Sequence, residues 1–137
     1  MSEMSLAPLL GGFDYPFEGA SARDDGEELA KHDIGLWECD LSDDSLTWSA
    51  GVYDIFGIAR GARVLRDDIV RFYEEDSRRA MEALRSYAIR HRRGFTLNVE
   101  IRPSQTRRAW MKLSGAPVLD NGNVVGLTGV KQLLRAA

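Results

Sequence analysis

The sequence has few of the residues on which catalytic and structural chemistry usually depends. Its 137 residues include one cysteine, Cys39, and two histidines. A lone cysteine cannot form an internal disulfide, which favours a reducing cytoplasm. No apolar run approaches the roughly 18 residues that a membrane span needs, and the opening MSEMSLAPLLGG lacks the basic and apolar regions of a secretory signal. These absences predict a cytoplasmic protein without a membrane segment.

The remaining composition is that of an ordinary globular chain with unevenly distributed charge. Hydrophobic residues make up 44% and charged residues 28%, and the length suits one domain. The net charge is −3, but residues 1–47 hold twelve acids and two bases, whereas residues 48–137 hold nine acids and sixteen bases. Either both regions are solvated, or the acidic segment docks on a basic surface of its own chain or a second copy. Nucleic acid is disfavoured, because the acidic segment would repel phosphate.

Residues 1–30 are expected to form an N-terminal leader with a short helix, ahead of a domain that spans residues 31–134. The leader mixes glycine, proline, serine and acids, and its helical part is too brief to be stable alone. Its apolar side chains are candidate anchors for self-association or for a partner protein. These candidate interaction residues are Phe13, Tyr15, Phe17 and Leu29.

The first part of the domain predicts a β-hairpin followed by a short helix. IGLWECD is a strand candidate, the turn lies at Ser42 to Ser45, and LTWS supplies the second strand. Ser49 is the expected N-cap of a helix that ends at Gly57. The acidic residues of the turn are expected to be solvated.

A long helix follows a stretch of short helical turns. Asp76 or Ser77 is expected to cap this helix, which runs to about Arg92. Its apolar stripe is predicted from offsets of four, seven and eleven residues. The stripe consists of Ala80, Leu84, Tyr87 and His91, and Met81 and Ala88 widen it.

Three strands complete the chain. Residues 95–102 alternate apolar and polar side chains, and two further strands flank a turn at Asp120 to Asn123. The order is therefore two strands, helices, then three strands. This order predicts an α+β domain with a five-stranded antiparallel sheet.

Short motifs along residues 34–134 fall in a characteristic order. Gly35, Trp37 and Asp40 form a G-x-W-x-x-D opening. Further motifs are Thr47-Trp48-Ser49, Tyr53-x-x-Phe56-Gly57, Phe95–Arg102, Trp110–Pro117 and Asp120–Gly129. Together they resemble the PAS family of sensory domains in its G-x-W-x-x-D variant. The chain departs from the family at the H-P-E-D loop, which is Tyr73-Glu74-Glu75-Asp76, and at the D-I-T exit, which is Leu133-Leu134-Arg135.

The histidines and the cysteine do not form a catalytic set. HDIG at His32 to Gly35 matches a tetrapeptide of metal-dependent phosphohydrolases, but such a site needs several ligands, and only His32 and His91 are present. A kinase phosphoacceptor role for His32 would need a long dimerising helix. Cys39 lies outside the G-x-N-C-R-F motif of flavin-photosensing relatives. We expect no enzymatic activity.

The resemblance implies a small pocket between the sheet and the helices. The candidate lining residues are Trp48, Phe56, Phe72, Leu84, Tyr87, Leu97 and Trp110. These bulky side chains either line a ligand site or fill it. Haem-sensing relatives ligate iron through a histidine of the long helix, but His91 lies in the last turn, where a histidine complements the helix C-terminus. No metal or cofactor is expected, and an unidentified small ligand stays open.

Without an output domain, the resemblance implies a stand-alone bacterial signalling module of the cytoplasm that acts through protein–protein contacts. The expected partner is a sensory histidine kinase or another PAS-containing regulator of a two-component pathway, and a homodimer is expected. The alternative is a small-molecule or cofactor receptor, whose pocket occupancy modulates partner binding.

Overall fold

A five-stranded antiparallel sheet carries the fold, and the longer helices come between its second and third strands in the chain. The computed structural model describes residues 26–135. Its elements are α1 (Glu27–Ala30), β1 (Ile34–Asp40), β2 (Ser45–Trp48), α2 (Ala50–Phe56), α3 (Arg66–Ile69), a 3-10 turn (Val70–Phe72), α4 (Glu75–His91), β3 (Phe95–Ser104), β4 (Arg107–Asp120) and β5 (Asn123–Leu134). The strand order is β2-β1-β5-β4-β3. The α+β class with five antiparallel strands is confirmed.

The first strand lies inside the sheet. β1 pairs with β2 on one side and with β5 on the other. Its first four residues are all buried, as expected for a strand with neighbours on both sides and covered faces. Trp37 stands directly opposite Trp48 on β2. The two tryptophans that flank the acidic turn in the sequence are therefore cross-strand neighbours.

Two glycines allow α2 to lie against β1. A Cβ atom on Gly51 would lie 1.9 Å from the Ile34 carbonyl oxygen, and one on Gly35 would lie 2.3 Å from the Val52 nitrogen. These positions accept no side chain, because the atoms in the way belong to backbone. Gly35, the second residue of β1, therefore belongs to a helix–strand contact.

Ser49 links the start of α2 to β1 by a side-chain hydrogen bond, and it does not cap the helix as the sequence predicts. It occupies the N-cap position, but its side chain makes no capping hydrogen bond. Its hydroxyl instead accepts a hydrogen bond of 2.8 Å from the backbone N–H of Leu36. The expected end of this helix at Gly57, in the left-handed conformation, is confirmed.

Helix α4 begins earlier than predicted. Its N-cap is Glu74, whose carboxylate accepts hydrogen bonds of 3.0 and 3.2 Å from the backbone N–H groups of Asp76 and Ser77. Ser77 was an expected cap, but its hydroxyl accepts a 2.8 Å hydrogen bond from the N–H of Glu100 in β3. This bond fixes the side of the helix that faces the sheet.

The buried face of α4 also differs from the predicted stripe. Ser77, Met81 and Ala88 are buried, whereas three of the four predicted positions are exposed and Leu84 is half-buried. The exposed three are Ala80, Tyr87 and His91. The prediction holds for Met81 and Ala88, which widen the stripe, and fails for its exposed positions, because the contact of Ser77 with β3 turns the Met81 and Ala88 side of the helix toward the sheet. None of the helices within residues 26–135 is long and apolar enough to cross a bilayer.

Candidate ligand-binding cavity

A small cavity of about 50 Å³ lies between the sheet and the helices. Aromatic residues of β1, β2 and β3 form much of its wall, with aliphatic residues from β4, β5 and α3. Trp37 is held in place there by its indole N–H, which donates a hydrogen bond of 3.1 Å to the Ser114 carbonyl oxygen. The polar groups that line the cavity are Cys39, Arg66, Tyr73, Arg85 and Lys131.

Lys131 is the unexpected member of this set. Its side chain is buried in the core, and its Nζ lies 3.2 Å from the hydroxyl of Tyr73. The amine also lies 4.9 to 5.8 Å from the centroids of four aromatic rings, those of Trp37, Trp48, Phe56 and Tyr73. Burial, and secondly the charge of Arg66, lower the pKa of Lys131 to about 7. The amine is therefore close to half-protonated at neutral pH.

Sequence reasoning missed Lys131, although the alternation of β5 contains the signal. Leu133 and Leu127 fall in phase with it, two and four residues away, on the side of the strand that faces the core. A charged residue at a core position of an alternating strand is unusual unless it is paired. This misfit is the feature that points to a site.

Two arginines bring further positive charge to the cavity, and each has an acidic partner. Arg66 of α3 forms an ion pair with Glu82 of α4. Arg85 of α4 lies 3.2 Å from Asp44 of the β1–β2 turn. Both guanidinium groups are mostly buried, with 15% and 19% of the side chain exposed. The acidic turn thus supplies a partner to the cavity wall.

Cys39 and Tyr73 are uncharged members of the cavity wall. Burial raises the pKa of the Cys39 thiol, and the neighbouring Arg85 only partly opposes this shift. Burial also raises the pKa of the Tyr73 phenol. Both groups therefore stay protonated at neutral pH and offer hydrogen bonds rather than charge.

The structure brings together only part of the predicted pocket set. Trp48 lines the cavity, and Phe56 stacks on it with ring centroids 5.2 Å apart. Phe72 meets the edge of Phe56 at 5.7 Å, and it also lines an open surface groove with Arg71, Arg102 and Arg108. Leu84 and Leu97 pack on the core while partly exposed. A ligand-binding role for these residues stays a prediction.

Tyr87 and Trp110 do not line the cavity. Tyr87 is 48% exposed and packs on His91, because α4 presents a different face to the sheet. Trp110 is 51% exposed, whereas the next residue, Met111, is fully buried. Successive residues of a strand point to opposite faces, so Trp110 lies on the outer face of the sheet.

Of the four predicted interaction residues, only one lies within the described part of the chain. Leu29 is 6% exposed and packs inside the fold, so it is not an available anchor in this chain. Phe13, Tyr15 and Phe17 lie outside the described residues. Their role in self-association or partner binding stays a prediction.

Catalytic and metal-binding sets are not apparent among residues 26–135. No group of three histidine, cysteine or acidic side chains in that range is placed to hold a metal ion. His32 lies on the surface, 3.7 Å from Glu28, and His91 is exposed at the end of α4 rather than at the cavity. The expectation that the protein is not an enzyme stays a prediction.

Comparison with known proteins identifies the fold. No protein-family model and no curated protein sequence matches the chain. The PAS domain of a protein from Colwellia psychrerythraea superimposes with a TM-score of 0.61 at 14% identity, over 81% of this chain and 98% of that one. A sensory box histidine kinase/response regulator from Burkholderia thailandensis E264 gives a TM-score of 0.65 at 16% identity, over 80% and 84%. The protein therefore has the PAS fold.

An RNA-binding light-oxygen-voltage receptor is also similar, with a TM-score of 0.65 at 15% identity. The match covers 76% of this chain but only 31% of the receptor. A light-oxygen-voltage domain studied with a flavin analogue is similar too, with a TM-score of 0.60 at 21% identity, so the cavity is compared with the size of a flavin. Pockets for drug-sized ligands measure roughly 300–1,000 Å³, whereas this one measures about 50 Å³. With Trp37, Trp48 and Lys131 in the interior, a flavin does not fit.

Proposed function

We propose that the protein is a sensory signalling module that acts through protein–protein contacts in the bacterial cytoplasm. The expected partner is a sensory histidine kinase or another PAS-containing regulator of a two-component pathway. The observation that carries this proposal is the PAS fold, which the chain shares with 84% of a sensory box histidine kinase/response regulator chain. Fold similarity is an argument by analogy, so the contact surface needs its own support.

Trp110 offers that support. It is a large aromatic side chain on the outer face of β4, half exposed and directly opposite Leu134 of β5 and Glu100 of β3. Tryptophan is enriched among the residues that dominate interface energetics. We infer that this face meets a second copy of the chain or the PAS domain of a partner. Phe13, Tyr15 and Phe17 are proposed to contribute to the same contacts.

The decisive experiment compares Trp110→Ser with Tyr87→Ser. Both substitutions remove a half-exposed aromatic residue, but Tyr87 lies on α4, away from the outer face of the sheet. Self-association is measured by sedimentation velocity over a range of concentrations. The tagged chain is then captured from its native cell, and a recovered kinase is tested for a change in autophosphorylation rate.

The proposal requires that Trp110→Ser weakens self-association and kinase regulation, while Tyr87→Ser leaves both near the wild-type level. Unchanged circular dichroism shows that the variants fold. A monomer at all concentrations together with no effect on any PAS-bearing kinase contradicts the proposal. Equal losses in the two variants would also contradict it, because they would not be specific to the sheet face.

A second candidate function is that of a small-molecule receptor. The cavity beside Lys131 favours it, because a buried amine with one hydrogen-bond partner leaves binding capacity for a small group. Occupancy would then shift the partner-binding surface. Native mass spectrometry of the protein purified from its own cell tests for a bound molecule. A mass equal to that of the bare chain, with no rise in melting temperature across small metabolites, counts against this candidate.

A further inference from the structure

Lys131 lacks a counter-ion in the described structure. Within residues 26–135, no carboxylate forms an ion pair with its amine, and the hydroxyl of Tyr73 is its hydrogen-bond partner. Buried lysines are normally paired, since an isolated charge is costly to remove from water. The four surrounding rings favour the charged amine but do not neutralise it.

The other charged groups at the cavity do not change this balance. The positive charges of Arg66 and Arg85 are offset by Glu82 and Asp44, which lie toward solvent with 43% and 51% of the side chain exposed. A protonated Lys131 therefore leaves the site with one unmatched positive charge. The neutral groups that face the same space are the thiol of Cys39 on β1 and the phenol of Tyr73.

The cavity also limits the size of what it can accept. A single water needs roughly 10–15 Å³ of such space, so about 50 Å³ holds a group of only a few heavy atoms. Trp48, Leu113 and Leu127 give it a largely apolar wall. The unmatched charge of Lys131, the small volume and the apolar wall therefore match a small molecule with one negative charge and a short apolar part.

We propose that this cavity binds a short-chain monocarboxylate, whose carboxylate pairs with Lys131 and whose alkyl part packs against Trp48 and Leu127. This inference rests on the receptor candidate and names its ligand class. It does not depend on which protein partner receives the signal.

Binding of such an anion is linked to protonation of the amine. Because the pKa of Lys131 is about 7 in the unliganded protein, the amine must take up a proton when a carboxylate binds at higher pH. From pH 6.0 to pH 8.5 the Kd is expected to rise about 30-fold, since the protonated fraction falls by that factor. Acetate itself stays ionised over this interval, so the dependence comes from the protein.

The test is calorimetric titration of the full chain with sodium acetate at pH 6.0 and 8.5, at constant ionic strength in sodium chloride. We expect saturable binding of acetate and propionate at pH 6.0, the 30-fold weakening at pH 8.5, and no binding of the neutral analogue acetamide. Octanoate is too large for the cavity and should not bind. At pH 8.5 the heat should vary with the ionisation enthalpy of the buffer, because a proton is taken up.

Lys131→Met is expected to abolish acetate binding, and Lys31→Met is the matched control. Lys31 is a surface lysine whose side chain is 65% exposed, so its loss should leave the Kd within about twofold. The wild-type comparison of acetate with acetamide, and of the two pH values, needs no variant and stands if Lys131→Met fails to fold.

The inference is overturned by acetate binding that does not depend on pH, by acetamide or octanoate binding as tightly as acetate, or by no saturable acetate binding at pH 6.0. Retained binding in folded Lys131→Met also overturns it. None of these outcomes touches the kinase and sedimentation results, so the signalling proposal is tested separately.

Discussion

Arg85 of α4 and Asp44 of the β1–β2 turn form an ion pair of 3.2 Å that ties the first hairpin to the long helix. The residues are 41 positions apart in sequence. Asp44 adopts a positive φ of 57°, which asparagine and aspartate tolerate better than most residues. The turn therefore has two roles, since it reverses the chain and also places a carboxylate beside a cavity-lining guanidinium.

A double-mutant cycle measures this pair. Asp44→Asn and Arg85→Gln are each expected to lower the unfolding free energy, with a coupling of about 0.5–1 kcal/mol, because Asp44 is half exposed. Urea unfolding at low and high salt provides the measurement, and the coupling should shrink as salt is added. A coupling near zero at low salt would show that the pair contributes no stability.

Lys131 should give the protein a stability that rises between pH 7 and 8.5. At pH 7 about half of the folded chains have lost the proton of Lys131 and at pH 8.5 nearly all have, whereas the unfolded chain keeps it because a free lysine titrates near 10.4. The unfolding free energy should gain up to about 1.4 kcal/mol per pH unit, or roughly 1.6 kcal/mol across the interval. Urea unfolding at three pH values measures the slope.

Lys131→Met should remove this slope, and Lys31→Met should retain it. The measurement stops at pH 8.5 because Cys39 lowers the unfolding free energy above that pH. Its pKa is raised in the folded protein, so the thiol ionises first in the unfolded chain and favours unfolding. Equal slopes in the wild type and in Lys131→Met would show that the pKa of the Lys131 amine is not lowered in the folded protein.

Gly51→Ala should be among the most damaging small substitutions in the chain. The new Cβ would lie 1.9 Å from the Ile34 carbonyl oxygen, which cannot move without displacing β1. We expect a loss of about 3 kcal/mol or more. Gly57→Ala serves as the comparison, because no atom lies within 4 Å of the Cβ that it would add. Only the positive φ of 70° opposes a side chain there, and we expect a loss of about 1 kcal/mol in unfolding free energy.

Thermal unfolding distinguishes the two effects. A loss for Gly51→Ala no larger than that for Gly57→Ala would mean that α2 can shift away from β1. Such a result would contradict the close approach of the two elements.

Ser49→Ala should destabilise the protein although Ser49 makes no capping hydrogen bond. The substitution leaves the backbone N–H of Leu36 without its 2.8 Å partner in a buried site. A loss of about 1–3 kcal/mol follows from an unsatisfied buried donor. Ser86→Ala, on an exposed position of α4, should change the unfolding free energy by less than about 0.5 kcal/mol. Similar values for the two variants in urea unfolding would rule out the Leu36 bond as a stabilising interaction.

The strands and their order along the chain were predictable because they depend on local alternation and turn chemistry. Residues 95–102 alternate in both the sequence and the burial pattern, and Gly57 ends α2 as its left-handed preference indicates. The side of α4 that faces the sheet was not predictable in this way. The widened apolar stripe covers more than one side of that helix, and a hydrogen bond from the Glu100 N–H to the Ser77 hydroxyl, 23 residues apart, determines which side is buried.

The cavity was predictable in place but not in chemistry. Bulky apolar residues are the sequence signal for a pocket, and Trp48, Phe56 and Trp110 all carry it. Only the strand register shows that Trp110 lies on the outer face of the sheet instead of at the cavity. Lys131 was overlooked because it belongs to a strand that was read for its apolar residues. Its neighbours Tyr73 and Trp37 come from segments 58 and 94 residues away, and no local pattern brings them together.

The position of β1 between β2 and β5 has a consequence for the order of folding. Trp37 pairs with Gly129, about 90 residues later in the chain, so the first hairpin keeps an unpaired edge until nearly all of the domain has been synthesised. That edge is apolar and would be open to pairing with another nascent chain. The sheet and the cavity are therefore incomplete until the last strand, which carries Lys131, lies between β1 and β4.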